Sequence, residues 1–203
     1  YLLSTSFGEV LTMIGALLVG LPLPVTAVQI LWINLVTDTA LVIPLGLEPP
    51  EEDHMKRPPR SPKAQILDRV ILSRIVIVGA VMAVVTLAVF SYLISKGYPL
   101  EYAQSVAFMM LVAVQWMNAF NARSERLSLI KRVRIPNYKL LAGLGLAVIA
   151  QVLVMFGPLR EAFSVSSIST SHLLASIVLP VLAVLAAVEI HKIYVHMKIE
   201  KSQ

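Results

Sequence analysis

Cysteine is absent from the 203 residues, charged side chains make up only 14% of them, and aromatic ones 7%. Without thiols there is no disulfide, no thiolate-held soft metal and no cysteine nucleophile. So little charge, set against 57% hydrophobic residues and a mean hydropathy of +0.79, excludes an ordinary soluble domain. Also missing are an initiator methionine, a basic leader with a small-residue cleavage site, a repeat of fixed period and any low-complexity tract. Tyr1 opens directly onto apolar sequence, so the chain is expected to be a piece of something longer.

What is present is a series of long apolar runs. A hydrocarbon core about 30 Å thick takes about 20 helical residues to cross. The pattern supplies six such spans, near 1–21, 26–47, 70–95, 102–121, 139–157 and 171–195. The expected fold is all-α: a polytopic protein of the lipid bilayer with six transmembrane helices, one of them interrupted, forming one unit over residues 1–203. Leu21-Pro22-Leu23-Pro24 makes a tight turn between the first two spans, because proline lacks an N–H and resists continuation of the helix behind it.

Charge fixes an expected orientation. The proline-rich stretch 48–69 and the basic stretch 123–139 share one side if the spans alternate, and all of the 17 Lys and Arg except Lys96 and Arg160 fall there. By the positive-inside rule that side, with both ends of the chain, is cytoplasmic. The same rule accounts for the net charge of +5, so no nucleic-acid partner is called for.

The second span breaks the apolar pattern with Asn34, Thr37 and Asp38. A carboxylate at the bilayer centre costs roughly 2.5–3.5 kcal/mol on insertion scales, so it persists with a partner and marks a functional site. At i, i+3 and i+4 the three side chains share one helix face. Amide, hydroxyl and carboxylate oxygens suit a hard cation such as calcium, and Pro44 is expected to unwind the segment near 39–44 and free further carbonyls. In the first span Ser6 and Glu9, and in the fourth Gln115 and Asn118, form further polar pairs at i, i+3. Glu9, Asn34, Thr37 and Asp38 are the candidate cation ligands, with Ser6, Gln115 and Asn118 as secondary ones. Glu189 reads instead as an interfacial anchor or a helix-end ion-pair partner, and Gln104 and Gln151 as interhelical bonds.

Together, Tyr1–Val10 (YLLSTSFGEV), Leu21-Pro22-Leu23-Pro24, Gln29–Asp38 (QILWINLVTD), Gly46-Leu47-Glu48-Pro49-Pro50 and Met55–Pro62 (MKRPPRSP) resemble the C-terminal membrane half, helices five to ten, of type II P-type cation ATPases of the calcium-pump group. The resemblance covers essentially the whole chain. It implies that Glu9 matches the fifth-helix glutamate and Asn34, Thr37 and Asp38 the sixth-helix cation ligands. Ser6 stands where that pump has an asparagine, Gln115 where it has a glutamate and Thr39 where a glycine usually follows the aspartate. One complete site, rather than two, is what this implies. Gln115-Trp116-Met117-Asn118 also resembles a motif of the sodium and proton pumps.

The resemblance further implies transport of a cation, calcium foremost, from the cytoplasm outward or into a lumen. Mg2+ and ATP would act in a cytoplasmic phosphorylation domain, and N-terminal transmembrane helices would complete the membrane part. No Asp-Lys-Thr-Gly-Thr motif occurs here, so this segment alone is not expected to hydrolyse ATP. The alternatives are a sodium, proton or other cation pump of the same group, or a freestanding scaffold or permease without the motor.

Overall fold

The structure, a computed structural model, describes residues 1–48, 67, 69–123 and 136–200. Regular structure among the described residues is entirely helical: α1 (Leu2–Leu18), α2 (Ala27–Trp32), a π-helical turn (Ile33–Thr37), α3 (Asp38–Gly46), α4 (Arg69–Ser95), α5 (Leu100–Ala122), α6 (Tyr138–Phe156) and α7 (Thr170–Glu200). From α2 through the π turn to α3 the chain runs as one 20-residue span, and with α4 to α7 this gives five helices long and apolar enough to cross a membrane. The apolar α1, of 17 residues, is the sixth. Helix limits fall close to those of the apolar runs, except that α7 continues past the expected end at 195 to Glu200.

Local chemistry sets the helix ends. Gly20 takes φ +72° just beyond α1, a left-handed backbone that glycine reaches without a Cβ penalty. The chain then folds back so that the Leu21 N–H meets Ala16 O at 2.9 Å. Gly97, at φ +78°, closes α4 in the same way, with the Tyr98 N–H on Leu93 O at 3.1 Å. A reciprocal cap opens α2: Gln29 N–H donates to Thr26 Oγ1 at 3.3 Å, and Thr26 N–H to Gln29 Oε1 at 3.0 Å.

The hub is α5, with 83% of its spanning window buried against 22–33% for the other four spans. It touches α1, the π turn, α3, α4 and α7. The α1–α4 pair closes most tightly where Gly8 meets Gly79; a Cβ on Gly8 would lie 3.2 Å from the Gly79 Cα. Small residues at such crossings are how membrane helices gain dispersion contact where lipid supplies no hydrophobic drive.

Polar bonds distinguish the two ends of the bundle. At one end the short connections are tied together: Gln29 Nε2 donates to Phe163 O at 3.0 Å, Gln104 Nε2 to Leu23 O at 2.9 Å, and the Ser166 N–H to Ser105 Oγ at 2.8 Å. At the other end Glu48, Arg123 and Asn137 meet. This is the arrangement that alternating spans require.

The interruption of the second span differs from expectation. Residues 39–44 do not unwind; α3 is helical through Pro44, and the irregularity lies earlier, at Ile33–Thr37. There the Asp38 N–H bonds to Ile33 O, five residues back, which fits one extra residue into the turn without exposing the backbone. Pro44 leaves the Ala40 carbonyl without its helical donor, and α6 presses against it there: a Cβ on Gly143 would lie 2.2 Å from Ala40 O. Tertiary packing thus holds α3 in helix across its proline.

Candidate cation site

Glu9 sits halfway along α1, only 6% exposed. Two amides reach its carboxylate: Gln115 Nε2 of α5 donates to Oε1 at 2.8 Å, and Asn34 Nδ2 of the π turn donates to Oε2 at 3.3 Å. Asn34 Nδ2 also bonds to Ile30 O at 3.0 Å, which holds the amide over the first turn of the widened segment. Three of the sequence-expected ligands therefore meet, each from a different helical element.

Asp38, 3% exposed, is the first residue of α3 and accepts a hydrogen bond on Oδ1 from the Tyr1 hydroxyl at 3.0 Å. It lies near enough to Glu9 for the two carboxylates to interact electrostatically. The π turn explains why Asn34 and Asp38 take different neighbours. Widening the turn separates residues that a regular helix would place one above the other, so Asn34 faces α1 and Asp38 faces the start of the chain.

Thr37 is buried and has no side-chain hydrogen bond among the described residues. Ser6 is half-buried on α1, and the structure does not bring it to Asn118. Instead Asn118 Nδ2 donates to Ser4 Oγ at 2.9 Å, one turn from the Gln115–Glu9 bond. Gln115 Oε1 is buried without a hydrogen-bond partner, an acceptor a ligand would satisfy.

Tyr1 and Ser4 escaped the sequence reading. The register of antiparallel α1 and α5 narrows the choice: if Gln115 meets Glu9, Asn118 one turn on meets α1 among Ser4, Thr5 and Ser6, and the structure selects Ser4. Tyr1 carries no comparable signal, because its partner is 37 positions away across a π turn that composition does not betray.

Chemically, the cluster offers two carboxylates, three side-chain amides and the hydroxyls of Tyr1, Ser4 and Thr37. Among the described residues no three His, Asp or Glu side chains gather in one place, so a cation held here would depend on amide and hydroxyl oxygens beside the acids. The cluster opens on one side: Asn34 is exposed, between Leu31 at 62% and Leu35 at 64%. Gln104, Gln151 and Glu189 have structural partners, Gln104 on Leu23 O. Trp32 Nε1 donates to Gln151 Oε1 at 3.0 Å, and Lys192 pairs with Glu189 at 3.4 Å. The proline-rich stretch 49–66 and the basic stretch 124–135 lie outside the described residues.

Comparison with known proteins agrees with these features. A family model described as "Cation transporting ATPase, C-terminus" matches residues 22–194. A calcium-transporting ATPase of Bacillus subtilis is 37% identical over 171 residues, which cover 83% of this chain and 19% of that protein. Calcium-transporting ATPase 1 of Bacillus cereus is 30% identical, covering 83% of this chain and 21% of its own length. Probable cation-transporting ATPase F of Mycobacterium tuberculosis is 31% identical, covering 77% and 17%. The chain thus spans about a fifth of the length of the curated relatives it matches.

Proposed function

Because the chain belongs to the family of cation-transporting ATPase C-terminal regions, we propose that it is the ion-binding membrane part of an ATP-driven P-type cation pump. Calcium is the cation it carries, from the cytoplasm to the outside or a lumen. Glu9, Asn34, Thr37 and Asp38 hold the ion, with Gln115 orienting Glu9 and Ser6 and Asn118 in supporting positions. The observation that carries this reading is the Glu9 carboxylate bound by amides from two other helical elements, with Asp38 close by, inside an apolar bundle. Among the described residues no other buried pair of acids lies at mid-span.

Binding works through exchange. The amide N–H groups of Asn34 and Gln115 hydrogen-bond the Glu9 carboxylate, and the Tyr1 hydroxyl hydrogen-bonds Asp38. A divalent cation draws both carboxylates toward itself, and amide oxygens replace amide N–H groups by rotation. The open side at Asn34, Leu31 and Leu35 is where the N-terminal transmembrane helices of the same pump close the site. Mg2+ and ATP act in its cytoplasmic phosphorylation domain, and both ends of the present segment lie on that side.

A second reading, a sodium or proton pump, draws on Gln115, an amide where a further acid would favour a divalent ion. Ion-stimulated ATPase activity of the complete protein across calcium, magnesium, manganese, sodium and pH decides between the two. Asp38→Asn is expected to abolish ion-dependent phosphorylation, and Ser6→Ala to weaken it slightly. Retention of high-affinity ion dependence by Asp38→Asn overturns the site assignment. Absence of any ion-stimulated ATP hydrolysis favours a scaffold or permease.

A further inference from the structure

At the end of the bundle opposite the short turns, Glu48 sits two residues past α3. Its carboxylate oxygen Oε1 accepts from both Nε and Nη2 of Arg123, each at 2.9 Å. Asn137 Nδ2 donates to the other oxygen, Oε2. Only 3% of the Arg123 side chain and 13% of the Glu48 side chain are exposed. Asn137 is at the same time the cap of α6, its Oδ1 accepting the Leu140 N–H at 2.9 Å. One carboxylate thereby joins the ends of α3, α5 and α6.

An ion pair this well buried is a poor source of stability, since an apolar packing of equal volume does as well. What it supplies is a fixed geometry, and its place in the fold says for what. Asp38 opens α3, ten positions before Glu48; Gln115 lies on α5, eight positions before Arg123. Both helices that bring oxygen ligands from the far side of α1 are thus joined about 12–15 Å from the site, at 1.5 Å per residue. Between these points α3 rests on α5 and, at Ala40, on Gly143 of α6. The connection runs from Asp38 along α3 to Glu48, across to Arg123, along α5 to Gln115, and from Gln115 to Glu9.

We propose that Glu48 and Arg123 are positioning residues for the cation site, fixing the separation between Asp38 and the Gln115–Glu9 pair by locking the end of α3 to α5. The proposal rests on the cation-site reading above. Neither residue touches the ion. Their position in the chain adds a second role: Glu48 immediately precedes the stretch 49–66, and Arg123 and Asn137 flank the stretch 124–135. A pull on either cytoplasmic stretch reaches the clamp first, and through the helix α3 reaches Asp38.

The test uses the complete pump that carries this segment and measures phosphorylation from ATP as a function of free calcium. Glu48→Gln keeps size and hydrogen bonding but removes the charge, and Glu48→Ala removes the group. Each is expected to raise the half-saturating calcium concentration, by about tenfold for the alanine, while the maximal phosphoenzyme level stays near that of the parent. Arg123→Gln should act alike, and Glu48→Gln with Arg123→Gln should lose less than the sum of the two single losses, because they share one interaction.

Unchanged half-saturation in folded Glu48→Ala overturns the proposal, as do fully additive losses in the double variant. Loss of maximal phosphorylation that tracks thermal stability, with no change in half-saturation, overturns it too, since a merely structural pair would behave so. If Arg123→Gln does not fold, the two Glu48 variants still decide. Failure of the underlying reading looks different: Asp38→Asn then keeps its ion dependence, or the parent responds to another cation, with which the same titration is run.

Discussion

Gly143→Ala probes the contact that holds α3 against α6. The new methyl carbon would lie 2.2 Å from Ala40 O, 2.9 Å from Pro44 Cγ and 3.3 Å from the Ala40 carbonyl carbon. Two of these are main-chain atoms, which no side-chain rotation can move aside. Restoring ordinary contact requires α3 and α6 to part by about 1 Å, and overpacking of this kind costs about 1–3 kcal/mol. The usual gain of alanine over glycine in a helix, about 0.5–1 kcal/mol, offsets part of that. Ala40 is two residues from Asp38, so the displacement is delivered to the site. Misplacement by about 1 Å is costly wherever several groups must converge, and half-saturation by the ion should rise about tenfold or more. Gly145→Ala is the control: it lies on the same helix, with nothing within 4 Å of the added carbon, and should leave ion dependence unchanged while raising stability by about 0.5–1 kcal/mol. The assay is ion-stimulated ATP hydrolysis of the complete pump, alongside its thermal unfolding in detergent. Equal behaviour of the two variants would refute the claim that the Gly143–Ala40 contact positions α3.

Two other perturbations separate site from scaffold. Tyr1→Phe removes the hydroxyl that orients Asp38, and with a hydrogen bond to a carboxylate worth about 1.5–3 kcal/mol when intact, half-saturation should rise about tenfold or more; an unchanged value would mean that the phenol plays no part. Thr26→Ala deletes the cap of α2 at the far end of that span, and should lower stability by about 1 kcal/mol in thermal unfolding while leaving ion dependence as it was.

The helices were legible because a bilayer leaves so few solutions: a run of apolar residues long enough to cross must satisfy its own backbone, and only a helix does so within one segment. The acids were legible for a related reason, since their cost demands a purpose. Less legible was the backbone around them. Pro44 pointed to unwinding at 39–44, yet Gly143 covers the carbonyl that Pro44 strands, and the helix holds. The π turn, by contrast, inserts its extra residue among Ile33–Thr37, where neither glycine nor proline announces it. Glu48 and Arg123 read separately as the edges of charged loops. Their meaning lies in a partnership 75 positions apart, which no local pattern records.

The burial of α5 has a consequence for how the protein is made. This helix is the least apolar of the five long spans, and it carries Gln104, Gln115, Asn118 and Asn121 on surfaces that other helices cover in the finished bundle. Both amide atoms of Asn121 and one of Gln115 lack hydrogen-bond partners even there. The partners of Gln104, Gln115 and Asn118 lie on Leu23, Glu9 and Ser4, all synthesised before α5, while α7, which packs along it, comes later. These three amides are therefore matched by segments already in place, and α1 and α4 pack against α5 as it enters the bilayer. The helix that organises the finished bundle is therefore the one most dependent on its neighbours during biogenesis.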